Sequence, residues 1–585
     1  MLDPVPVPLQ ALIWPLLGAI LILIGRRFLP NWLCRLVALA AVLASLAVLW
    51  SLRTGSIERV DVLWEPLNLF RMSPDLHPDS LALLVGITLV WLTAATVLGV
   101  RGAQPQSTAW HGLILAALAG CLAMTMATNL ITLAIASALL DMALIAMVVF
   151  EPYDAGRVAW RMAVPGVAST LLIVVSALQM SAEVGTGSLS AREVPAGILT
   201  MVGVAGMLRL LAYPLHPRGL HTPENAATFL LSAGAGIYLV ARVQTIDPGW
   251  MGLEWMLTVG SVALLAGGLM AWTGGNRLAE ESDPSAPPPP GVLAGEGRQV
   301  EDSPPPAPAR VWSGIAVHQA GYALVFVLLV ANSVLWPLLS LTLALGMMII
   351  WWDGTRRRTA GPRPRWFPSS VRNWWAQAQS TIAGRFPTLA RYGLAFLPAL
   401  ALASLAGVPL TAGARGRWLF YGTVLGKAQS GLLIPVLVAD SLLVAGLATA
   451  FSASLAQGGD RRPSVAALLA MLALAVPLVV LGIAPSVLDL DPMQLPDVSA
   501  WGLGFIYVLP WLLGVWLARV SGRISNYLGP VYRFVSLDWL FHAATWLGQR
   551  LGGIIYWVGQ VGEGQGWFGW VLVILALGIM LLMIR

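Results

Sequence analysis

Apolar residues run along this chain in stretches of about 20, the length that crosses a hydrocarbon core as a helix, separated by short polar or Gly/Pro-rich punctuation. The pattern predicts helices near 8–26, 33–52, 79–100, 109–127, 129–150, 158–180, 195–214, 224–243, 249–272, 312–330, 335–352, 393–427, 430–455, 464–488, 500–519 and 566–584. None of these runs alternates with period two, which excludes a spanning barrel, and open backbone groups are not tolerated in lipid, so each run is a helix. The fold class expected is an all-α polytopic membrane protein of about 14–16 transmembrane helices. A proline-interrupted run of similar character occurs in each half, LRLLAYPLHP at Pro214 and LASLAGVPLTAGARGRW at Pro409, the second with the glycine-containing GARG as part of its break. Paired interruptions predict an inverted repeat whose working site lies where the helices break.

Composition agrees with a membrane location: 57% of the 585 residues are hydrophobic and 11% charged. The first run, in PVPVPLQALIWPLLGAILILIG, has no basic leader and no small-residue cleavage site, so it reads as a transmembrane helix. Two cysteines, Cys34 and Cys121, are isolated in apolar sequence and point to no disulfide framework, metal or cluster; no cofactor is expected. The formal charge of +6 comes from basic residues in short loops, which orient a membrane protein and imply no nucleic-acid partner.

Arg26, Arg27, Arg35, the run from Arg356 to Arg372, Arg461, Arg462, Arg519, Arg523 and Arg533 all fall in loops of one parity. The positive-inside rule then puts the N-terminus outside, in the cytoplasmic membrane of a prokaryote. Residues 274–310 are Pro-rich and acidic and cannot bury a core, so they are expected to form a disordered cytoplasmic linker. The expected organisation is N-terminal helices over 1–108, a first repeat over 109–243 and the first helix of a second repeat over 244–273. The linker follows, then the remainder of the second repeat over 311–455, then C-terminal helices with an amphipathic segment over 456–585.

Charges inside apolar runs are costly, from about 2.5 kcal/mol each at mid-membrane, and mark pathway or counter-ion positions. Arg209 sits in MLRLLAY before Pro214, and Arg417 follows Pro409. Asp141, His318 and Asp440 are further interior candidates, whereas Arg161 and Glu254 lie near helix ends and suit an interface. A structural ion pair is the alternative role for each arginine, and an interhelical hydrogen bond for His318. No nucleotide loop, HExxH or CxxC occurs, so neither redox nor hydrolytic chemistry is indicated.

Several segments resemble the antiporter-like membrane subunits of respiratory complex I (NADH:quinone oxidoreductase) and of Mrp-type cation/proton antiporters. GMLRLLAYPLH from Gly206, followed by PENAATFLLSAGAGIYLVAR from Pro223, is similar to the family's G-L-x-x-K-S-A-Q-x-P-x-H segment and the P-x-S-A-L-x-H helix after it, with the second proline displaced by one residue. Asp79-Ser80-Leu81, RVWSGIAVHQAGY from Arg310, LAGVPLTAGARGR from Leu405, and the tail with Asp538, Trp539 and GEGQGW resemble further family segments in order. The resemblance implies two inverted five-helix repeats, each with a broken helix, and a relay of titratable residues for protons or Na+. It also implies other membrane subunits as partners, in an NADH:quinone oxidoreductase-type or Mrp-like complex.

Where the family carries a relay glutamate this chain has Ala138, with Asp141 one turn on. The lysine of the seventh helix becomes Arg209, the eighth-helix position becomes Thr228, and the lysine of the twelfth becomes Arg417. Desolvation lets a buried lysine release its proton, while arginine keeps its own. The expectation is therefore a subunit with an impaired channel. Two alternatives stand beside it: a translocator using Asp141, His216, His318 and water around fixed arginines, and a membrane partner energising inorganic-carbon uptake.

Overall fold

The computed structural model describes residues 6–54, 60–61, 74–100, 107–149, 155–184, 189, 194–211, 223–250, 252–282, 307–330, 333–355, 387–426, 430–456, 465–485, 500–524 and 550. The chain divides into two compact units, Met1–Tyr532 and Arg533–Arg585; the elements below belong to the first, and of the second only Arg550 is described.

Ten helices come first: α1 (Val7–Gly25), α2 (Asn31–Thr54), α3 (Ser80–Gly99), α4 (Ser107–Met126), α5 (Leu130–Val149), α6 (Ala155–Glu183), α7 (Ala196–Leu211), α8 (Pro223–Ile246), α9 (Leu253–Ser282) and α10 (Ala307–Leu329). The eleventh run holds α11 (Leu335–Leu339) and α12 (Leu345–Thr355), joined by a π turn at Ser340–Ala344. The twelfth holds α13 (Pro387–Ala406) and α14 (Ala412–Gly426), after which come α15 (Leu433–Ala456), α16 (Val465–Ile483) and α17 (Ala500–Ile524). A two-residue antiparallel pair, β1 (Val60–Asp61) and β2 (Asp75–Leu76), lies between α2 and α3 in the chain.

Among the described residues twelve helices are long and apolar enough to cross a membrane, and three further apolar helices are shorter. Together these match the first fifteen expected runs, so the fold is all-α and polytopic; the sixteenth, 566–584, lies outside the described residues. Pro214 and His216 also lie outside them, between the end of α7 and the start of α8 at Pro223.

Three boundaries differ from the pattern-based expectation. Helix α9 continues to Ser282 and α10 starts at Ala307, so both ends of the Pro-rich stretch 274–310 are helical; RLAEES at the first end is made largely of good helix formers. The eleventh run contains the π turn, which apolar periodicity cannot signal. In the twelfth run GARG is helical, inside α14, and the break falls earlier, over residues 407–411. Gly407 and Leu410 take positive φ there, 80° and 72°, on either side of Pro409. Thr411 starts α14, its hydroxyl oxygen accepting from the Ala414 amide at 3.3 Å, so the chain turns before GARG rather than within it.

Two termini of α3 are tied by charge. Asp79 Oδ1 accepts from the Ala82 amide at 2.8 Å, capping the helix, while its other oxygen pairs with Arg242 of α8. At the opposite end Arg35 donates to the Val97 carbonyl at 2.7 Å and to that of Leu98, satisfying carbonyls that the helix leaves open.

Helix α9 is the spine of the second half, packed along both α10 and α15. Adjacent glycines make this possible. A Cβ on Gly267 would overlap the backbone nitrogen of His318 in α10, and one on Gly268 would lie 2.6 Å from the Ala439 carbonyl oxygen in α15. Small residues at such crossings let helix backbones touch where no hydrophobic drive exists between helices in lipid. Their consequence is positional: His318 and Asp440 face each other at one depth, on helices held to either side of a single turn of α9.

Candidate functional site

Two buried ion-pair clusters occupy the interior, one in each half. The first joins α5, α6 and α7. Arg209 is 0% exposed, near the end of α7, and its guanidinium grips Asp141 of α5 with two parallel bonds, Nη1 to Oδ1 at 2.8 Å and Nη2 to Oδ2 at 3.0 Å. Nη2 also donates to the Ser137 hydroxyl and to Thr170 Oγ1 at 3.0 Å, and the Thr170 hydroxyl donates to Asp141 Oδ2 at 2.6 Å. Bidentate pairing of this kind is the strongest geometry available to an arginine and a carboxylate. Ser137 is one turn before Asp141 on the same face of α5, so the sequence places two of the four partners together. Neither charge can be removed singly without leaving the other bare in a low-dielectric interior, a change worth about 3–5 kcal/mol.

The second cluster joins α10, α14, α15 and the break. Asp440 of α15, 1% exposed, pairs through Oδ2 with Arg417 of α14 and accepts at the same oxygen from the Tyr421 hydroxyl. Arg417 Nη2 donates to the Leu405 carbonyl at 2.8 Å, one of the groups freed where α13 ends, and Gln319 donates to the same oxygen at 3.2 Å. The arginine thus answers the open end of one half-helix from inside the other. Its Cζ also sits 5.5 Å from the centroid of the Tyr322 ring, a cation–π contact. His318 Nε2 lies 3.1 Å from Asp440 Oδ1 but off the line of a hydrogen bond. Among the described residues His318 Nδ1 and the Tyr322 hydroxyl have no hydrogen-bond partner either, and both side chains are buried. The π turn adds the last member, Ser340 Oγ donating to Gln319 Oε1 at 3.3 Å.

The clusters differ in one chemical respect. Both oxygens of Asp141 are held, by the arginine and by the Thr170 hydroxyl, so the first is a closed knot. The second holds the same arginine–aspartate unit but sets beside it a histidine whose Nε2 lies within ion-pair distance of the aspartate and whose Nδ1 has no hydrogen-bond partner among the described residues.

Chains of similar architecture occur in solved structures, three of which illustrate the likeness. One is in the Mrp complex from Dietzia sp. DQ12-45-1b, with a TM-score of 0.67 and 16% identity, covering 94% of this chain and 60% of that one. A second is in respiratory complex I from Thermus thermophilus with bound aureothin, with a TM-score of 0.56 and 19% identity, covering 82% of this chain and 98% of that one. A third is in the membrane-bound sulfane sulfur reductase, an archaeal respiratory membrane complex, with a TM-score of 0.61, 17% identity, and 84% and 78% covered. The chain has the antiporter-like fold. No family model and no curated protein matches the sequence. The likeness is therefore one of fold, and the chain spans 60% of the length of the Mrp chain.

On that fold the expected site residues sort clearly. Arg209 meets Asp141, and Arg417 and His318 each meet Asp440. Ala138, half-buried on α5, takes no part in the first knot, and Thr228 of α8 is buried. Glu254 is exposed in the first turn of α9, and the Arg161 side chain lies outside the described residues. The apolar-run reading passed over Ser137, Thr170, Gln319, Tyr322, Tyr421 and Tyr507. Three of these were within reach of a helical-spacing argument: Ser137 precedes Asp141 by four, Tyr322 follows His318 by four, and Tyr421 follows Arg417 by four. Thr170 and Tyr507 come from other helices and carry no such signal.

Proposed function

We propose that this protein is a non-redox, antiporter-like subunit of a multi-subunit membrane assembly of the complex I or Mrp kind, with an impaired proton channel of its own. The single observation carrying the impairment is the pair of hydrogen bonds from Arg209 to Asp141, flanked by Ser137 and Thr170. A relay member must change charge during transport. A guanidinium does not release its proton in a protein, and the carboxylate it grips cannot be neutralised without exposing a buried cation to apolar surroundings.

Helices α4–α8 and α9–α15 are read as the two inverted repeats, with Arg209 and Arg417 in equivalent places on the seventh and twelfth runs. Each repeat keeps one acid for its arginine, but on different helices, α5 in the first and α15 in the second. Such an exchange preserves charge balance and fold without preserving a relay, which suits a subunit retained to scaffold neighbours or couple them. The cytoplasmic membrane of a prokaryote, with the N-terminus outside, is the location that the loop arginines favour.

A second reading draws on His318. Its ring, with Nε2 3.1 Å from Asp440 Oδ1 and Nδ1 without a hydrogen-bond partner among the described residues, is suited to carrying a proton past the fixed Arg417, which would leave the second half active alone. Purifying the assembly from native membranes by a tag on this chain tests the subunit reading: several membrane subunits of defined stoichiometry should co-purify. A chain recovered alone, at every detergent mild enough to retain lipid, would overturn it.

A further inference from the structure

We infer that Tyr507, on α17 outside both repeats, is a positioning residue that holds the break of the twelfth run and, through it, the second ion-pair cluster. The hydroxyl of Tyr507 donates to the carbonyl of Gly407, the residue at φ 80° where α13 gives way to the turn. That carbonyl cannot join a helix ladder, and left bare in a buried site it would cost as much as a lost hydrogen bond. The helix end makes its own backbone bonds, Val408 N to the Ala403 carbonyl at 2.7 Å and Gly407 N to that of Ser404 at 3.1 Å, and the donor for the Gly407 carbonyl comes from one hundred residues further along the chain, on α17.

The same side chain reaches the charges. The Tyr507 ring meets Tyr421 edge-on at 6.4 Å and Trp418 at 5.6 Å, and the Tyr421 hydroxyl is bound to the Asp440 oxygen that pairs with Arg417. Arg417 in turn holds the Leu405 carbonyl, two residues before Gly407. A closed circuit results, running from α17 to the break, to the arginine, to the aspartate, to Tyr421 and back to Tyr507. One face of α17 is exposed and apolar, including Trp501, Phe505, Leu512 and Trp516, so it is the helix of the circuit most open to neighbours. Whatever shifts α17 shifts the turn at Gly407 and the geometry of the cluster together.

The inference rests on reading this cluster as the functional site, but its test is geometric and needs no transport. Hydrogen–deuterium exchange is measured by mass spectrometry on the full-length protein in lipid nanodiscs. Tyr507→Phe removes the hydroxyl and keeps the ring. It should speed exchange over residues 403–411 about tenfold, the worth of one buried hydrogen bond, with α3 unchanged. It should also move the His318 imidazole resonance, assigned through His318→Gln, which a locally loosened turn alone would leave in place. Leu512→Ala, on the exposed face of α17, serves as the control and should leave 403–411 within about twofold of the wild type. Exchange unchanged in Tyr507→Phe, or raised equally by Leu512→Ala, overturns the positioning role. Absence of proton flux in any of these proteins bears on the proposed function and leaves this result standing.

Discussion

Replacing Asp141 with alanine strands Arg209 as a cation inside the bundle. Two charge-assisted bonds at 2.8 and 3.0 Å disappear, and the Thr170 hydroxyl loses the acceptor it reaches at 2.6 Å. Hydrogen bonds to charged groups are worth about 1.5–3 kcal/mol each, and breaking a buried pair from one side costs about 3–5 kcal/mol, so the two routes agree near 4 kcal/mol. That is roughly a thousandfold loss in the folded-to-unfolded ratio. Removing both charges together, as Asp141→Leu with Arg209→Met, abolishes the stranded cation and should recover most of the loss, because buried pairs gain little over apolar groups of similar size. Unfolding of the reconstituted protein in mixed micelles of rising SDS content, followed by tryptophan fluorescence, reads both numbers. A single alanine variant costing under about 1 kcal/mol, or a double variant worse than the single, would refute the account of a closed, charge-balanced knot.

Gly267→Ala should force α10 away from α9 at His318, destabilising the protein by about 1–3 kcal/mol in the same unfolding assay and shifting the His318 resonance. Asp79→Ala should cost about 1–2 kcal/mol through loss of the α3 cap, whereas Asp79→Asn, which keeps a capping oxygen and gives up only the partly exposed pair with Arg242, should cost under about 1 kcal/mol. Arg209→Lys should weaken the first knot even though it keeps the charge, since one ammonium cannot reach Asp141, Ser137 and Thr170 in the forked geometry, and the unfolding midpoint should fall.

What could be read ahead of the structure follows from where each signal resides. Helix number and class were legible because a membrane span writes its own length into the sequence, and fifteen runs have matching helices. The partnership of Arg209 with Asp141 was legible in part, because a buried arginine needs an acid and α5 offers one. The break near Pro409 was visible and its place was not. Proline removes one helix hydrogen bond without fixing a break, since α13 runs through Pro398; Gly407 and Leu410 decide where the turn is made, and a leucine at positive φ has no sequence signature. Gly260, Gly267 and Gly274 recur every seven residues on α9, a spacing that does announce a close helix contact, although apolar periodicity alone passes over it. The link from Tyr507 to Gly407 joins residues that no local pattern connects, and only the packed structure discloses it.

Proton flux through the purified protein in proteoliposomes, driven by a potassium diffusion potential and read with an internal pH dye, tests the central claim most directly. The unaltered chain is predicted to pass no more protons than protein-free vesicles, because both arginines are fixed charges paired to their acids. Restoring titratable groups, with Ala138→Glu, Arg209→Lys and Arg417→Lys in one protein, is predicted to raise the flux. Flux through the unaltered chain that vanishes in His318→Ala or Asp141→Ala would contradict the account and make this subunit a working translocator.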